Sequence, residues 1–336
     1  MPADLKATLA SLPKTDLHRH LEGAIRPATI AEICRAHRVK LPTYDAAELA
    51  NLIQPGKPAD NLAAFLEPLK LIKFCFTDKE AISRIAYEAV EDAHLDNVRY
   101  IELRFTPDFM AFYYRLSLSD VMDGIVAGVN LAARRFPVVV KLIVSLCRDH
   151  SPESIGPSWP EATEVARVAA DYADRGVVGF DLSGVESGFP PELFVRPFEI
   201  ARQAGLGITV HAGEGAGPES VRGAIEHLGA TRIGHGVRIV CDPDVLRLVK
   251  DQGVTLEICP TSNVLTRAVE SLESHPVRRL YEAGLPITIN TDDPSLCGVT
   301  LTDEYALIVE KFGFTLAEIE GLMENARRAA FFSSSS

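Results

Sequence analysis

The stretch LPKTDLHRHLEG, residues 12–23, sets two imidazoles, His18 and His20, on alternate positions directly after a short run with strand character at 15–17. Side chains two apart on a strand face the same way, with their Cα atoms about 6.5–7 Å apart. Both rings can therefore reach one ion, each through a ring nitrogen at about 2.0–2.1 Å from a zinc. HxH at a strand end is a metal-ligand spacing, but two solvated or hydrogen-bonded imidazoles would look the same. The signal strengthens because other ligand-competent groups stand at the ends of other strand-like runs: His211, His235 and the pair Asp292-Asp293. His211 and Asp292 add a third imidazole and a carboxylate, an N/O set that suits zinc. Each has an ordinary alternative, His211 as a satisfied core histidine and either aspartate as the cap of a helix opening at Pro294.

The loop HAGEGAG, residues 211–217, has the glycines of a phosphate cradle. It lacks the GK[ST] ending, and Glu214 would repel a phosphate, so that reading fails. The glycines instead let the backbone turn tightly and bring Glu214 close to a ligand. A carboxyl three residues beyond a metal-binding histidine is placed to carry protons. His235 lies on the next strand, where it can orient or deprotonate a water.

Such groups need a frame that gathers strand ends. Candidate strands fall at 15–17, 98–105, 138–146, 177–183, 207–211, 232–236, 254–259 and 286–290, with amphipathic helical patterns between them, as at 80–96 and 163–176. Eight strands alternating with helices predict a (β/α)8 TIM barrel, whose reactive groups collect at the C-terminal ends of the strands. No Gly-rich turn follows the first strand, which argues against an open doubly wound sheet. No linker or repeat divides the chain, so residues 1–336 are expected to form one domain. Residues 40–75 break the beat and predict a mostly helical, lid-like insertion between the first and second strands, covering the barrel mouth. Within it Leu62, Phe65 and Leu69 recur at helical spacing. Phe65 is the better candidate for a pocket wall, and Leu69 is expected in the core. The aromatic segment PDFMAFYY at 107–114 is a second candidate wall.

The bulk numbers exclude some partners. Of 336 residues, 47% are hydrophobic and 24% charged, enough to bury a large core, and the formal net charge is −12. Nucleic-acid phosphates and anionic membranes would be repelled overall. No apolar run approaches the roughly 20 residues that span a bilayer. The six cysteines are scattered, without a CxxC pair, and the N-terminus carries no secretory pattern, so a cytoplasmic protein with reduced thiols is expected. No motif bears on oligomeric state.

LPKTDLHRHLEGAIRP, SGVE at 183–186, HAGE at 211–214, IGHG at 233–236, CPTSN at 259–263 and NTDDP at 290–294 together resemble the adenosine deaminase family of the amidohydrolase superfamily. The resemblance runs from about residue 12 to about 330, with the motifs in family order. It implies one Zn2+ held by His18, His20, His211 and Asp292. It implies Glu214 as the acid that protonates purine N1, Asp293 as the hydrogen-bond partner of N7, and Gly184 as the backbone N–H that meets N3. His235 would orient the attacking hydroxide and help remove its proton. The implied partner is a small purine nucleoside, most simply adenosine or 2′-deoxyadenosine. A catalytically inactive relative would lose ligands, and this chain keeps them. Two-metal amidohydrolases usually carry a bridging lysine at the end of the fourth strand, and DLSG has none.

At the sugar side the chain departs from the pattern. Many adenosine-specific members resembling it have Asp where Glu22 stands, at the position that contacts the ribose 5′-hydroxyl. Members acting on free adenine or on 6-aminodeoxyfutalosine often carry HLEG, as here, whereas GAIRP is similar to the adenosine group. The loop after Pro107 is also shorter than in animal members. Arg148 after the third strand is expected either to meet a substrate carboxylate or to bridge to an aspartate. Glu186 is assigned to the network around the zinc. His37, His94, His150, His227 and His275 are expected at the surface or in packing roles.

Overall fold

The computed structural model describes residues 3–54, 56–149 and 161–332. His150, one of the histidines expected at the surface, lies outside them. Eight strands follow one another in chain order around a barrel: β1 (Lys14–His20), β2 (Val98–Phe105), β3 (Val139–Cys147), β4 (Val177–Ser183), β5 (Gly207–Ala212), β6 (Arg232–His235), β7 (Thr255–Ile258) and β8 (Ile287–Ile289). Each pairs in parallel with the next. β8 returns to β1 through a bridge between Arg19 and Asp292. There the His20 N–H donates to the Asp292 carbonyl, and the Asp292 N–H donates to the His18 carbonyl, both at 2.8 Å. Below this, the side-chain oxygen of Asn290 accepts from the Leu17 N–H at 3.0 Å, where a neighbouring strand would supply a carbonyl. The chain is therefore a (β/α)8 TIM barrel, as its alternating pattern predicts, and its closing seam runs through three of the candidate ligands.

The strands form where the sequence offers β-branched and apolar runs. β4, β7 and β8 are buried along their whole length, as expected of parallel strands covered on both faces. The helices Lys79–Leu95 and Leu118–Ala133 show how the outer layer attaches. Asp78 caps the first, accepting from the Ala81 N–H at 2.8 Å, and a Ser117–Asp120 capping box opens the second. They pack so closely that a Cβ on Gly128 would stand 2.1 Å from the Ser83 carbonyl oxygen.

The N-terminal end of the barrel is closed by the end of the last helix, Leu316–Ala329, and the residues after it. The Phe331 ring lies 3.6 Å from the guanidinium carbon of Arg232. Its backbone carbonyl accepts from the Tyr100 hydroxyl at 2.7 Å, and its N–H donates to Glu102. A Cβ on Gly179 or Gly207 would come within 2.8 or 2.4 Å of that ring, so both strands keep glycine where the plug enters.

The insertion between β1 and β2 is mostly helical, as expected, but in short pieces. It contains Ala46–Ile53, Leu62–Phe65, Leu69–Ile72 and a 3-10 turn at Lys73–Cys75. The spacing of Leu62, Phe65 and Leu69 predicts one continuous helix. Pro68, which lacks an N–H, instead separates two short ones. PDFMAFYY likewise folds as a helix, Pro107–Phe112, rather than a loop. His37 and His227 are at the surface beside Asp78 and Glu192, and His94 stacks on Phe136. Replacing Phe331 with Ala is expected to lower stability by roughly 2–3 kcal/mol, a cavity-sized loss. Chemical denaturation would show it, with kcat per folded molecule unchanged.

Candidate active site

At the C-terminal rim of the barrel, four sequence-distant segments bring imidazoles and a carboxylate together. Asp292 Oδ1 lies 3.1 Å from His18 Nε2 and 3.3 Å from His20 Nε2, and His20 Nε2 lies 3.1 Å from His211 Nε2. Four ligand atoms around a zinc at about 2.0–2.1 Å stand ~3.3 Å from one another in a tetrahedron. The observed spacings match that edge. Two ring nitrogens facing each other at 3.1 Å, and a fully buried His18 Nε2 without a hydrogen-bond partner, also suit a shared cation. Among the described residues, His18, His211, His235 and Asp292 each offer an atom within 4.8 Å of the others, so His235 stands beside the same point. Its Nε2 is 3.5 Å from Glu214 Oε2 and 3.9 Å from Asp292 Oδ2.

The rings are aimed from behind. His18 Nδ1 meets Glu257 Oε2 at 2.7 Å, and His211 Nδ1 meets Asp181 Oδ1 at 3.0 Å. A carboxylate only accepts, so each Nδ1 carries its proton and each Nε2 turns a lone pair toward the cluster. Asp292 is steadied through Oδ2, which accepts from the Ser262 hydroxyl at 2.6 Å. Asp292 and His235 both hold left-handed backbone, φ +62° and +65°. Asp293 makes no capping hydrogen bond to the short helix Pro294–Cys297, which removes the simple capping alternative for that residue.

Behind the rings lies a charged layer. Glu257 takes Arg104 at 2.7 Å and Arg232 at 2.7 Å, Arg232 reaches Glu102 at 2.5 Å, and Arg104 stands 3.4 Å from Asp181. Two guanidiniums thus face four buried carboxylates, those of Glu102, Asp181, Glu257 and Asp292.

A cavity of about 460 Å³ opens from the cluster toward solvent. Leu62, Phe65 and Leu69 of the insertion line it, with Phe109 and Phe112 after β2, so Leu69 faces the pocket rather than the core alone. Glu214, Asp293, Glu22 and Gly184 line it as well. Burial, then the nearby Asp292 and Glu186 charges, push the Glu214 carboxyl up to about 8. Burial also holds Asp293 well above the usual carboxylate range, with Asp292, Glu22 and Glu214 adding to the effect. Both shifts favour the protonated, hydrogen-donating form. Gly23 makes room for one of them, since a Cβ there would stand 1.8 Å from Asp293 Oδ1. Glu22 is pushed up to about 7 by burial; its Oε1 accepts from the Thr106 N–H at 2.7 Å, and its buried Oε2 has no protein partner.

The HAGEGAG loop is an anion nest after all, and the chain fills it itself. The Glu186 carboxylate accepts from the N–H groups of Gly213, Glu214, Gly215 and Ala216 and from the Ser220 hydroxyl. Glu186 therefore holds the loop that carries Glu214 rather than the metal side. Among the described residues Arg148 donates to the carbonyls of Leu182 and Ser183 on β4, of Phe189, and of His211 on β5. Asp181, Glu257 and Ser262 escaped the sequence reading. The first two had a signal, a lone acidic residue inside an otherwise apolar strand (GFDLS, TLEIC).

With this geometry in place, the relatives are informative. The adenosine deaminase family model matches residues 13–336. An adenosine deaminase of Shewanella denitrificans is 39% identical over 325 residues, 97% of this chain and 96% of its own. The crystal structure of an adenine deaminase from Arthrobacter aurescens superposes with TM-score 0.86 at 28% identity, covering 96% of this chain and 95% of its own. An amidohydrolase from Burkholderia ambifaria with bound zinc gives TM-score 0.87 at 29% identity, covering 99% and 90%. The chain belongs to the adenosine deaminase family and is a hydrolase that removes an amino group from a purine.

Proposed function

We propose that the chain deaminates a purine nucleoside at C6, converting adenosine or 2′-deoxyadenosine to inosine or 2′-deoxyinosine with release of ammonia. One observation carries this reading: the Glu214 and Asp293 carboxyls face a single cavity whose inner end is the cation-competent cluster, in buried surroundings that favour their protonated forms. His18, His20, His211 and Asp292 would hold one Zn2+. Zinc bound there supplies Lewis acidity that makes water nucleophilic near neutral pH.

The chain's own groups do the rest. Glu214 holds a proton and gives it to purine N1, so negative charge does not build on the ring while the water oxygen bonds to C6. Asp293 donates to N7, and the Gly184 N–H meets N3. Glu214, left as a carboxylate, takes up the proton that the water loses on bonding to C6. The proton of the new 6-hydroxyl then passes to the amino group as the C6–N bond breaks, so ammonia leaves and the ring keeps N1–H and a C6 carbonyl. Phe65 and its apolar neighbours exclude water from the base, and the segment 61–73 acts as a lid over the mouth. Glu22 meets the sugar side, its free oxygen open to a hydroxyl. All six cysteines are free, in keeping with a cytoplasmic enzyme.

Free adenine is the second reading, favoured by the deeply buried Glu22 and by the likeness to the Arthrobacter aurescens adenine deaminase. 6-Aminodeoxyfutalosine loses its support in Arg148, whose guanidinium is bound to carbonyls. Ammonia release from adenosine, 2′-deoxyadenosine, adenine, AMP and 6-aminodeoxyfutalosine separates these; the nucleosides are expected to give the highest kcat/KM. Two variants test the roles. Glu214→Gln should keep its zinc and lose turnover by about 10²–10⁴-fold, and near-normal kcat would remove Glu214 from proton transfer. Asp181→Asn should weaken zinc binding by about 10–100-fold, read by competition with a chromogenic chelator.

A further inference from the structure

His235 stands among the ligand-competent imidazoles, yet its back partner is of a different kind. Where His18 and His211 meet carboxylates, His235 Nδ1 meets the side-chain nitrogen of Asn263 at 2.9 Å. Asn263 lies on the short helix Pro260–Leu265 after β7 and is fully buried. Its side-chain oxygen meets Nε2 of His275 at 3.3 Å, and Nδ1 of His275 meets the Val277 N–H at 3.1 Å. His275 is not a mere packing residue: three hydrogen bonds run in file from a backbone group to the catalytic pocket.

The direction of the file is fixed at its far end. A backbone N–H can only donate, so His275 Nδ1 accepts and, in the neutral ring, the proton sits on Nε2. Burial lowers His275 to about 4, which keeps the ring neutral at physiological pH. Its Nε2–H must then meet an acceptor, which assigns the oxygen of Asn263 to that side and the amide nitrogen to the other. The reverse orientation would set two donors face to face. The amide nitrogen donates to His235 Nδ1, leaving the His235 proton on Nε2.

Resting on the deaminase reading above, we infer that Asn263 and His275 are positioning residues that hold His235 as its Nε2–H tautomer, so that His235 presents a hydrogen to the cavity where His18 and His211 present lone pairs. This explains how imidazoles in one cluster take different roles. A ring with hydrogen on Nε2 does not bind a cation through that atom, so the ligand set is closed without His235. The same hydrogen points toward the region between Glu214 and Asp292, where it donates to the attacking oxygen and orients its remaining lone pair at C6. In this tautomer His235 orients the water as a donor, and the water's proton goes to the carboxylate that Glu214 becomes on protonating N1.

Asn263→Asp separates this device from simple packing. The replacement is nearly isosteric, but an aspartate only accepts, so it should draw the His235 proton onto Nδ1. In zinc-loaded protein labelled with 15N-histidine, the wild type should show a pyrrole-like Nε2 and a pyridine-like Nδ1 for His235, reversed in the variant. Its kcat should fall about a hundred-fold or more, as tautomer reversal does in other catalytic histidines, with KM within about threefold and zinc content unchanged. A protonated Nδ1 in the wild type, or wild-type kcat in Asn263→Asp, overturns the inference. If Asn263→Asp does not fold, the pair His275→Leu and His275→Gln decides. Gln keeps a donor toward the Asn263 oxygen and should recover most of a roughly tenfold loss seen in Leu, whereas equal losses overturn the relay. The 15N signature is recorded without substrate, so failure of the purine panel and failure of the relay are separate results.

Discussion

The carboxylate of Glu257 is the constraint on which the site depends. Buried at the centre of the barrel, it receives His18, Arg104, Arg232 and the hydroxyl of Thr209. Burial alone would favour its neutral form, but Arg104 and Arg232 outweigh that and hold it well below the usual carboxylate range. Through it, the direction of a candidate ligand ring is tied to two arginines on other strands, and through Asp181 to His211. Removing one member would leave charges uncompensated in a low-dielectric interior, a loss of about 3–5 kcal/mol. A barrel interior packed with aliphatic layers would be easier to stabilise but could not aim imidazoles from behind.

The seam between β8 and β1 places the site where the fold is completed. Closure there uses the backbone of His18, His20 and Asp292, and Asp292 is held in a left-handed conformation that costs about 1–3 kcal/mol in a non-glycine residue. His235 carries a similar cost. Such positions persist only when their surroundings over-determine them, and the Ser262 hydroxyl, the bridge to Arg19 and the Asn263 contact do so. The same residues therefore close the barrel and shape the chemistry, so damage to one is felt in both.

Much of this was legible in the sequence because strand ends concentrate both turn signals and reactive residues. The runs at 98–105 and 177–183 coincide with β2 and β4, and the HRH, HAGE, GHG and DDP motifs each lie at or just beyond a strand end. The spacing of Leu62, Phe65 and Leu69 suggests one helix where there are two because apolar periodicity survives the break at Pro68. Glu257 and Asp181 were overlooked because an acidic residue on a strand says nothing about partners that arrive from strands elsewhere in the chain. Asn263 and His275 were harder still. They are twelve positions apart on a helix and a loop, and their meaning lies in which atom donates, a property of three-dimensional contacts. Glu186 stands in the SGVE motif, but four of its five donors are backbone groups of the 213–216 loop and the fifth is the Ser220 hydroxyl, contacts that no motif spacing displays.

The seating of Phe331 against Arg232 has a consequence for traffic. With the barrel floor filled by the Phe331 ring, the described cavity opens at the rim, beside Leu62, Phe65 and Leu69. A purine crossing that apolar border sheds water before it meets the charged groups beneath, so the border governs access while the groups below it keep the chemistry.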